Sequence, residues 1–265
     1  MAIDTRLHGR TALVTGASSG LGADFARHLA ARGANLILVA RRMELLEALK
    51  QELTQKHRVS VETIAMDLVA KDAPQQLYDQ IKAAGKQVDI LVNNAGLGLH
   101  GQFLDIPWER ERNMLELDII TLVHMTKLFG RDMAERKFGY ILQVASIGAY
   151  QPSPTYATYS AAKSFVLYFG EALAHELRAS NVKVTVVSPG VTKTEFLDVA
   201  GQQPTLYQRM VMMDSPTVTR IGIEAMLKGK ASVVPGIMNA LTAFSTRLMP
   251  RSFAAALADR LMTIQ

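Results

Sequence analysis

The sequence predicts an α/β protein built on a doubly wound parallel sheet of about seven strands, with helices on both faces. Short, β-branched, nearly continuous apolar runs alternate with longer stretches of helical periodicity, the pattern of strands buried on both sides. The first run leads into a glycine-rich turn that opens a helix. The chain, 265 residues with 49% hydrophobic and 20% charged, is long enough to cover such a sheet on both faces.

The strands are read in order as TALVT (11–15), ANLILVA (34–40), VSVETIAM (59–66), VDILVN (88–93), YILQVA (140–145), VKVTVVS (182–188) and ASVVP (231–235). Between them helical patterns cover 21–32, 43–56, 73–84, 108–136, 158–179 and 216–228. No Pro/Gly-rich linker, repeat or low-complexity tract divides the chain, so residues 1–265 read as one domain. A final helix is expected from Gly236, with Ile237, Leu241, Phe244 and Leu248 recurring on one side.

Composition narrows the function classes. With no cysteine there is no disulfide framework and no thiolate chemistry. The six histidines lack ligand spacing, so no metal site is expected. Asp4, Arg6, His8 and Arg10 interrupt any leader pattern at the start, and no apolar run reaches membrane-span length, so a cytoplasmic location is expected. The net charge of +5 is scattered rather than gathered into a stripe, which argues against a nucleic-acid partner.

The segment VTGASSGLGADFARHLAARGANLILVARR is a strand, a glycine turn, a helix and a second strand. Gly16, Gly20 and Gly22 leave the turn without side chains, so a pyrophosphate can approach the backbone while the helix N-terminus aims N–H groups at it. This predicts a dinucleotide site on a Rossmann-like sheet. At the end of the second strand, where a carboxylate would bind the ribose hydroxyls of NAD, the chain has Ala40, Arg41 and Arg42. Arginine suits a 2′-phosphate, so NADP(H) is expected over NAD(H); the alternative is that both arginines only cap the next helix.

The pieces TGASSGLG (15–22), DL (67–68), NNAG (93–96), Ser146, YSAAK (159–163) and PGVTKT (189–194) come in an order that resembles the short-chain dehydrogenase/reductase family. The resemblance covers about the first three quarters of the chain. It implies hydride transfer between a nicotinamide cofactor and a carbonyl or alcohol. It further implies that Gly16, Ser18, Ser19, Gly20 and Leu21 hold the pyrophosphate and its ribose, and that Asp67 and Leu68 flank the adenine. Asn94, Ala95 and Gly96 would line the groove, and Pro189, Gly190, Thr192 and Thr194 would surround the nicotinamide amide and phosphates. A homodimer or homotetramer follows from the same resemblance.

Carbonyl reduction needs a proton on oxygen as well as a hydride on carbon, and a phenol must be tuned to supply it. Lys163 lies one helical turn after Tyr159, so its ammonium is expected to lower that phenol's pKa. Tyr156 is two turns from Lys163 and Tyr168 is off its face. Ser146 would orient the substrate oxygen, and Lys163 would reach the nicotinamide ribose. Many family members carry an asparagine in the helix before Ser146; here Asp118 aligns with it. A carboxylate accepts hydrogen bonds but does not donate them, so Asp118 either substitutes in the proton relay, weakens it, or bridges structurally.

Residues 195–215 occupy the place of a substrate lid, and Phe196, Leu197, Leu206, Tyr207, Met210, Met212 and Met213 make it apolar. An apolar carbonyl or alcohol is the expected substrate, unless these residues only pack the lid. The tail, about 236–265, looks like that of bacterial oxidoreductases distantly similar to 3-oxoacyl and hydroxysteroid reductases. Its apolar side, near Arg247, Arg251 and Arg260, is open to three readings: packing on the core, an oligomer interface or a membrane surface. Two functions stand: an NADP(H)-dependent carbonyl reductase or alcohol dehydrogenase, and a catalytically weak NADP-binding regulatory or scaffold relative.

Overall fold

The computed structural model describes residues 7–195, 200–202, 205, 209 and 211–263, the side chains of the last three excepted. The expected lid residues Phe196, Leu197, Leu206, Tyr207 and Met210 lie outside the described residues; Met212 and Met213 lie within them.

Seven parallel strands form the sheet: β1 (Thr11–Thr15), β2 (Asn35–Ala40), β3 (Val61–Ala65), β4 (Ile90–Asn93), β5 (Gly139–Val144), β6 (Val182–Val187) and, past two short strands, β9 (Ser232–Val233). Their spatial order is β3-β2-β1-β4-β5-β6-β9. The chain winds outward from β1 through β2 to β3, then returns to β4 on the other side of β1, pairing Val14 with Val39's neighbour Leu38 on one side and with Val92 on the other. That reversal leaves a crevice beyond the carboxyl ends of β1 and β4.

Because side chains alternate along a strand, each face has its own helices. Ala12, Val14, Leu36 and Leu38 point to one face, where Phe25 and Leu29 of α1 (Gly20–Ala30), Leu46 and Leu53 of α2 (Met43–His57) and Ile223 and Met226 of α7 (Ser215–Leu227) cover them. Leu13, Ile37 and Leu91 point to the other, against α3 (Ala73–Ala83) and Met125, Phe129 and Met133 of α5 (Leu122–Glu135). α6 (Ala157–Glu176) packs Val166 and Leu167 on Val186 of the same sheet.

Most boundaries fall within two residues of expectation, with two informative departures. The helical pattern at 108–136 is α4 (Trp108–Leu115) and α5 joined by a π-helical turn, Glu116–Thr121. Such turns insert one residue into the ladder and re-aim a side chain, here Asp118, which is fully buried. The expected single tail helix is two, α8 (Ile237–Ser245) and α9 (Arg251–Thr263), with a 3-10 turn at Thr246–Leu248 and Pro250 between them. The short strands β7 (Thr192–Lys193) and β8 (Met213–Asp214) pair with each other, one just before and one near the end of the segment 195–215.

Candidate active site

A cavity of about 460 Å³ opens at the carboxyl edge of the sheet. Its floor is the glycine turn after β1. Gly16 has φ +65°, and a Cβ there would stand 2.9 Å from the Ala95 Cα and the Asn94 Nδ2. At Gly22 a Cβ would come within 2.1 Å of the Gly16 carbonyl oxygen, so the turn and the first turn of α1 close up only with glycine at both places. Asn94 locks the arrangement: its side chain donates to the Thr15 carbonyl at 2.9 Å, and its amide donates to Thr15 Oγ1 at 3.0 Å.

Of the expected cofactor residues, Gly16, Ser18, Ser19, Leu21, Arg41, Arg42, Asp67, Leu68, Asn94, Ala95, Gly96, Pro189, Gly190, Thr192 and Thr194 all line this cavity. Gly20 does not line it; it starts α1 with φ +52°, and a Cβ there would meet the Thr194 methyl at 3.1 Å. Arg42 donates to Ser19 Oγ at 2.9 Å and Ser18 Oγ at 3.3 Å, and pairs with Glu195 at 3.1 Å. Arg42 therefore does more than cap α2: its guanidinium faces the glycine turn. Glu195 is held below the usual carboxylate range, chiefly by its bond from Arg42. The substituent-free turn and the facing guanidinium fit a phosphorylated dinucleotide.

At the other end of the cavity, Ser146, Tyr159 and Lys163 come together from two elements. Ser146 lies just beyond β5 and caps a 3-10 turn, Ile147–Tyr150, its Oγ accepting from the Gly148 amide at 3.1 Å. Its hydroxyl is also within hydrogen-bond reach of the Tyr159 phenol. Tyr159 and Lys163 stand one turn apart on α6, with the ammonium 5.7 Å from the Tyr159 ring centroid. Lys163 Nζ donates to the Val144 carbonyl at 3.2 Å and forms an ion pair with Asp118 Oδ2 at 2.8 Å. Asp118 does not line the cavity; it stands behind Lys163, and its Oδ1 accepts from the Leu97 amide at 2.8 Å.

Burial is the largest influence on all three ionisable groups. It pushes the Asp118 carboxyl up, and Lys163 pulls back only part of the way. It acts to lower the Lys163 ammonium, but Asp118 and Tyr159 together outweigh this and the net direction is up. Burial also pushes the Tyr159 phenol up; Lys163 and Ser146 act downward, while Asp118 opposes them. Lys163 thus acts on the phenol in the expected downward direction, although the net direction is up. Its pull is real, but desolvation of the phenolate is larger and Asp118 cancels part of the ammonium's field.

The remaining tyrosines separate as expected. Tyr168 is 69% exposed. Tyr156 is buried, its ring 5.7 Å from that of Tyr159, and its hydroxyl donates to Gln202 Oε1. Sequence reasoning missed Gln202 and Glu195 as parts of this site, because both partners are contacts across long chain separations that no local pattern announces. No group of three or more potential metal ligands occurs among the described residues.

The crevice at the strand reversal, the glycine turn and the paired Tyr and Lys define a dinucleotide-binding oxidoreductase scaffold. The short chain dehydrogenase family matches residues 10–204, and the chain belongs to the short-chain dehydrogenase/reductase family. It is 36% identical over 187 residues to an uncharacterized oxidoreductase of Myxococcus xanthus, covering 71% of this chain and 74% of the relative. It is 34% identical over 230 residues to a very-long-chain 3-oxoacyl-CoA reductase of Pyrenophora tritici-repentis, covering 84% of this chain and 66% of that protein, so it spans about two thirds of the reductase's length. Among solved structures, a short-chain dehydrogenase from Sphingobium yanoikuyae in complex with NADPH superposes with a TM-score of 0.81 at 28% identity, covering 91% of this chain and 95% of that one.

Proposed function

We propose that this protein is an NADP(H)-dependent carbonyl reductase or alcohol dehydrogenase acting on an apolar substrate. The observation that carries this reading is the convergence of Ser146, Tyr159 and Lys163 at one end of the cavity whose other end presents Arg41 and Arg42. The bound nicotinamide supplies the hydride. Ser146 orients the substrate oxygen by hydrogen bonding, Tyr159 gives that oxygen its proton, and Lys163 holds the ribose and stabilises the phenolate left behind. Reduction needs that phenol protonated, and burial acts in that direction.

Arg42 and Arg41 would receive the 2′-phosphate that separates NADP(H) from NAD(H). Leu97, Val144, Ile147 and Val191 in the cavity wall suit an apolar carbonyl, and the resemblance to an enzyme that reduces very-long-chain 3-oxoacyl-CoA points the same way. The family habit of homo-oligomers extends the proposal to a homodimer or homotetramer.

The Lys163–Asp118 pair favours a second reading, an NADP-binding relative with weak catalysis, because a carboxylate there holds back the ammonium's field from the phenol. NADPH oxidation across a panel of aliphatic, aromatic and polycyclic ketones and aldehydes separates the two. Turnover with apolar members is expected. NADPH binding without turnover across the panel would establish the second reading.

A further inference from the structure

The two tail helices are inside out. On α8 the buried positions are Asn239 and Ala243, small or polar, while Ile237, Met238, Leu241 and Phe244 are 82%, 63%, 57% and 56% exposed. Ile237, Leu241 and Phe244 recur at i, i+4 and i+7, on the side of the helix away from the buried pair. α9 repeats the pattern: Ala254 and Ala258 face in, and Phe253 and Leu257 face out. Leu248, in the turn between them, is exposed as well. An ordinary surface helix buries its large apolar side chains, so a contiguous face of this kind marks a docking surface.

Charge selects the occupant. Residues 236–263 carry Arg247, Arg251 and Arg260 against the single acid Asp259, and all four are exposed. A symmetric contact between two copies of this patch would gather both sets of three arginines, with one acid each, into one interface. An anionic lipid surface accepts the apolar face and pairs with the arginines at once. We propose that α8 and α9 dock this protein on an anionic lipid bilayer, lying in its interface without crossing it; no helix among the described residues is long and apolar enough to cross.

The helix that carries this surface packs its buried side beside the active-site cavity. Asn239 packs against Gly190, where a Cβ would be 2.4 Å from the Asn239 Nδ2, and Gly190 lines the cavity wall. The docking proposal does not depend on the catalytic reading and is tested without it.

Flotation of the full chain with phosphatidylcholine vesicles, with and without phosphatidylglycerol, tests it directly. The wild-type protein is expected to float with the anionic vesicles, less with the neutral ones, and less again at high salt. Arg247→Gln with Arg251→Gln should weaken anionic-vesicle binding about thirtyfold at low salt and barely change the neutral arm. Leu241→Glu with Phe244→Glu should weaken it about a hundredfold. Sedimentation velocity without lipid should show the same species for wild type and both variants. Absence of wild-type binding to either vesicle overturns the proposal whatever the variants do. So does a smaller assembly for Leu241→Glu with Phe244→Glu, which would make this face an interface between copies.

Discussion

The Lys163–Asp118 and Arg42–Glu195 pairs have the same chemistry and similar separations, 2.8 and 3.1 Å. Their side-chain exposures differ completely, 7% and 0% for the first, 43% and 56% for the second. The buried pair cannot exchange its partner for water, so on the proposed function it would act as a fixed element beside Tyr159. The exposed pair contributes little to stability and is screened by salt, so a phosphate can displace Glu195 from Arg42 at small cost. On the proposed function, burial separates the charge that would set the chemistry from the charge that would receive a ligand.

The largest effect is expected at the group beside the buried pair. Tyr159→Phe should lower kcat for carbonyl reduction about a thousandfold while NADPH affinity, read by fluorescence titration, stays within a few fold of wild type. Turnover like that of wild type would remove Tyr159 from its assigned role. Next comes stability. Asp118→Ala leaves Lys163 buried without its carboxylate and should cost about 3–5 kcal/mol in urea unfolding. Glu195→Ala should leave the unfolding midpoint unchanged, and equal costs for the two would break the comparison.

The cofactor end gives the third effect. Ala40→Asp with Arg41→Ala places an acid where the 2′-phosphate would sit and removes a cation. The kcat/KM ratio of NADPH to NADH should fall about a hundredfold and reverse; an unchanged ratio sinks the cofactor assignment. Asp118→Asn is smaller, with kcat changing less than about tenfold, but it is diagnostic. Asp118 acts to raise the Tyr159 pKa, so its removal lowers it. Reduction needs the protonated phenol and falls as pH rises through that pKa, so its alkaline limb should move to lower pH. Oxidation needs the phenolate and should begin to rise at lower pH. If neither kcat nor the profile moves, Asp118 is a structural bridge. The smallest effect belongs to Glu195→Gln, which should lower the KM for NADPH a few fold at low salt and not at high salt.

Much of this was legible in the chain because its signals are local. The seven strands follow from apolar runs, the glycine turn from Gly16 and Gly20 within one segment, and the Tyr159–Lys163 pair from one helical turn. Asp118 stood out by alignment, yet its contact with Lys163 joins residues 45 positions apart and depends on a π-helical turn that no periodicity shows. Glu195 and Gln202 were invisible as site residues for the same reason: each meets its partner, Arg42 or Tyr156, only after the sheet has brought distant segments together.

By itself, then, the sequence determined the doubly wound sheet, the place of the crevice and the one-turn spacing of Tyr159 and Lys163, because hydrophobic period and short spacings act within a few turns of chain. Only the tertiary structure decided the direction of the Tyr159 pKa, the buried state of the Lys163–Asp118 pair and the outward aim of the apolar tail. Each of these is a matter of solvent exposure, and exposure belongs to the packed molecule rather than to any segment of it.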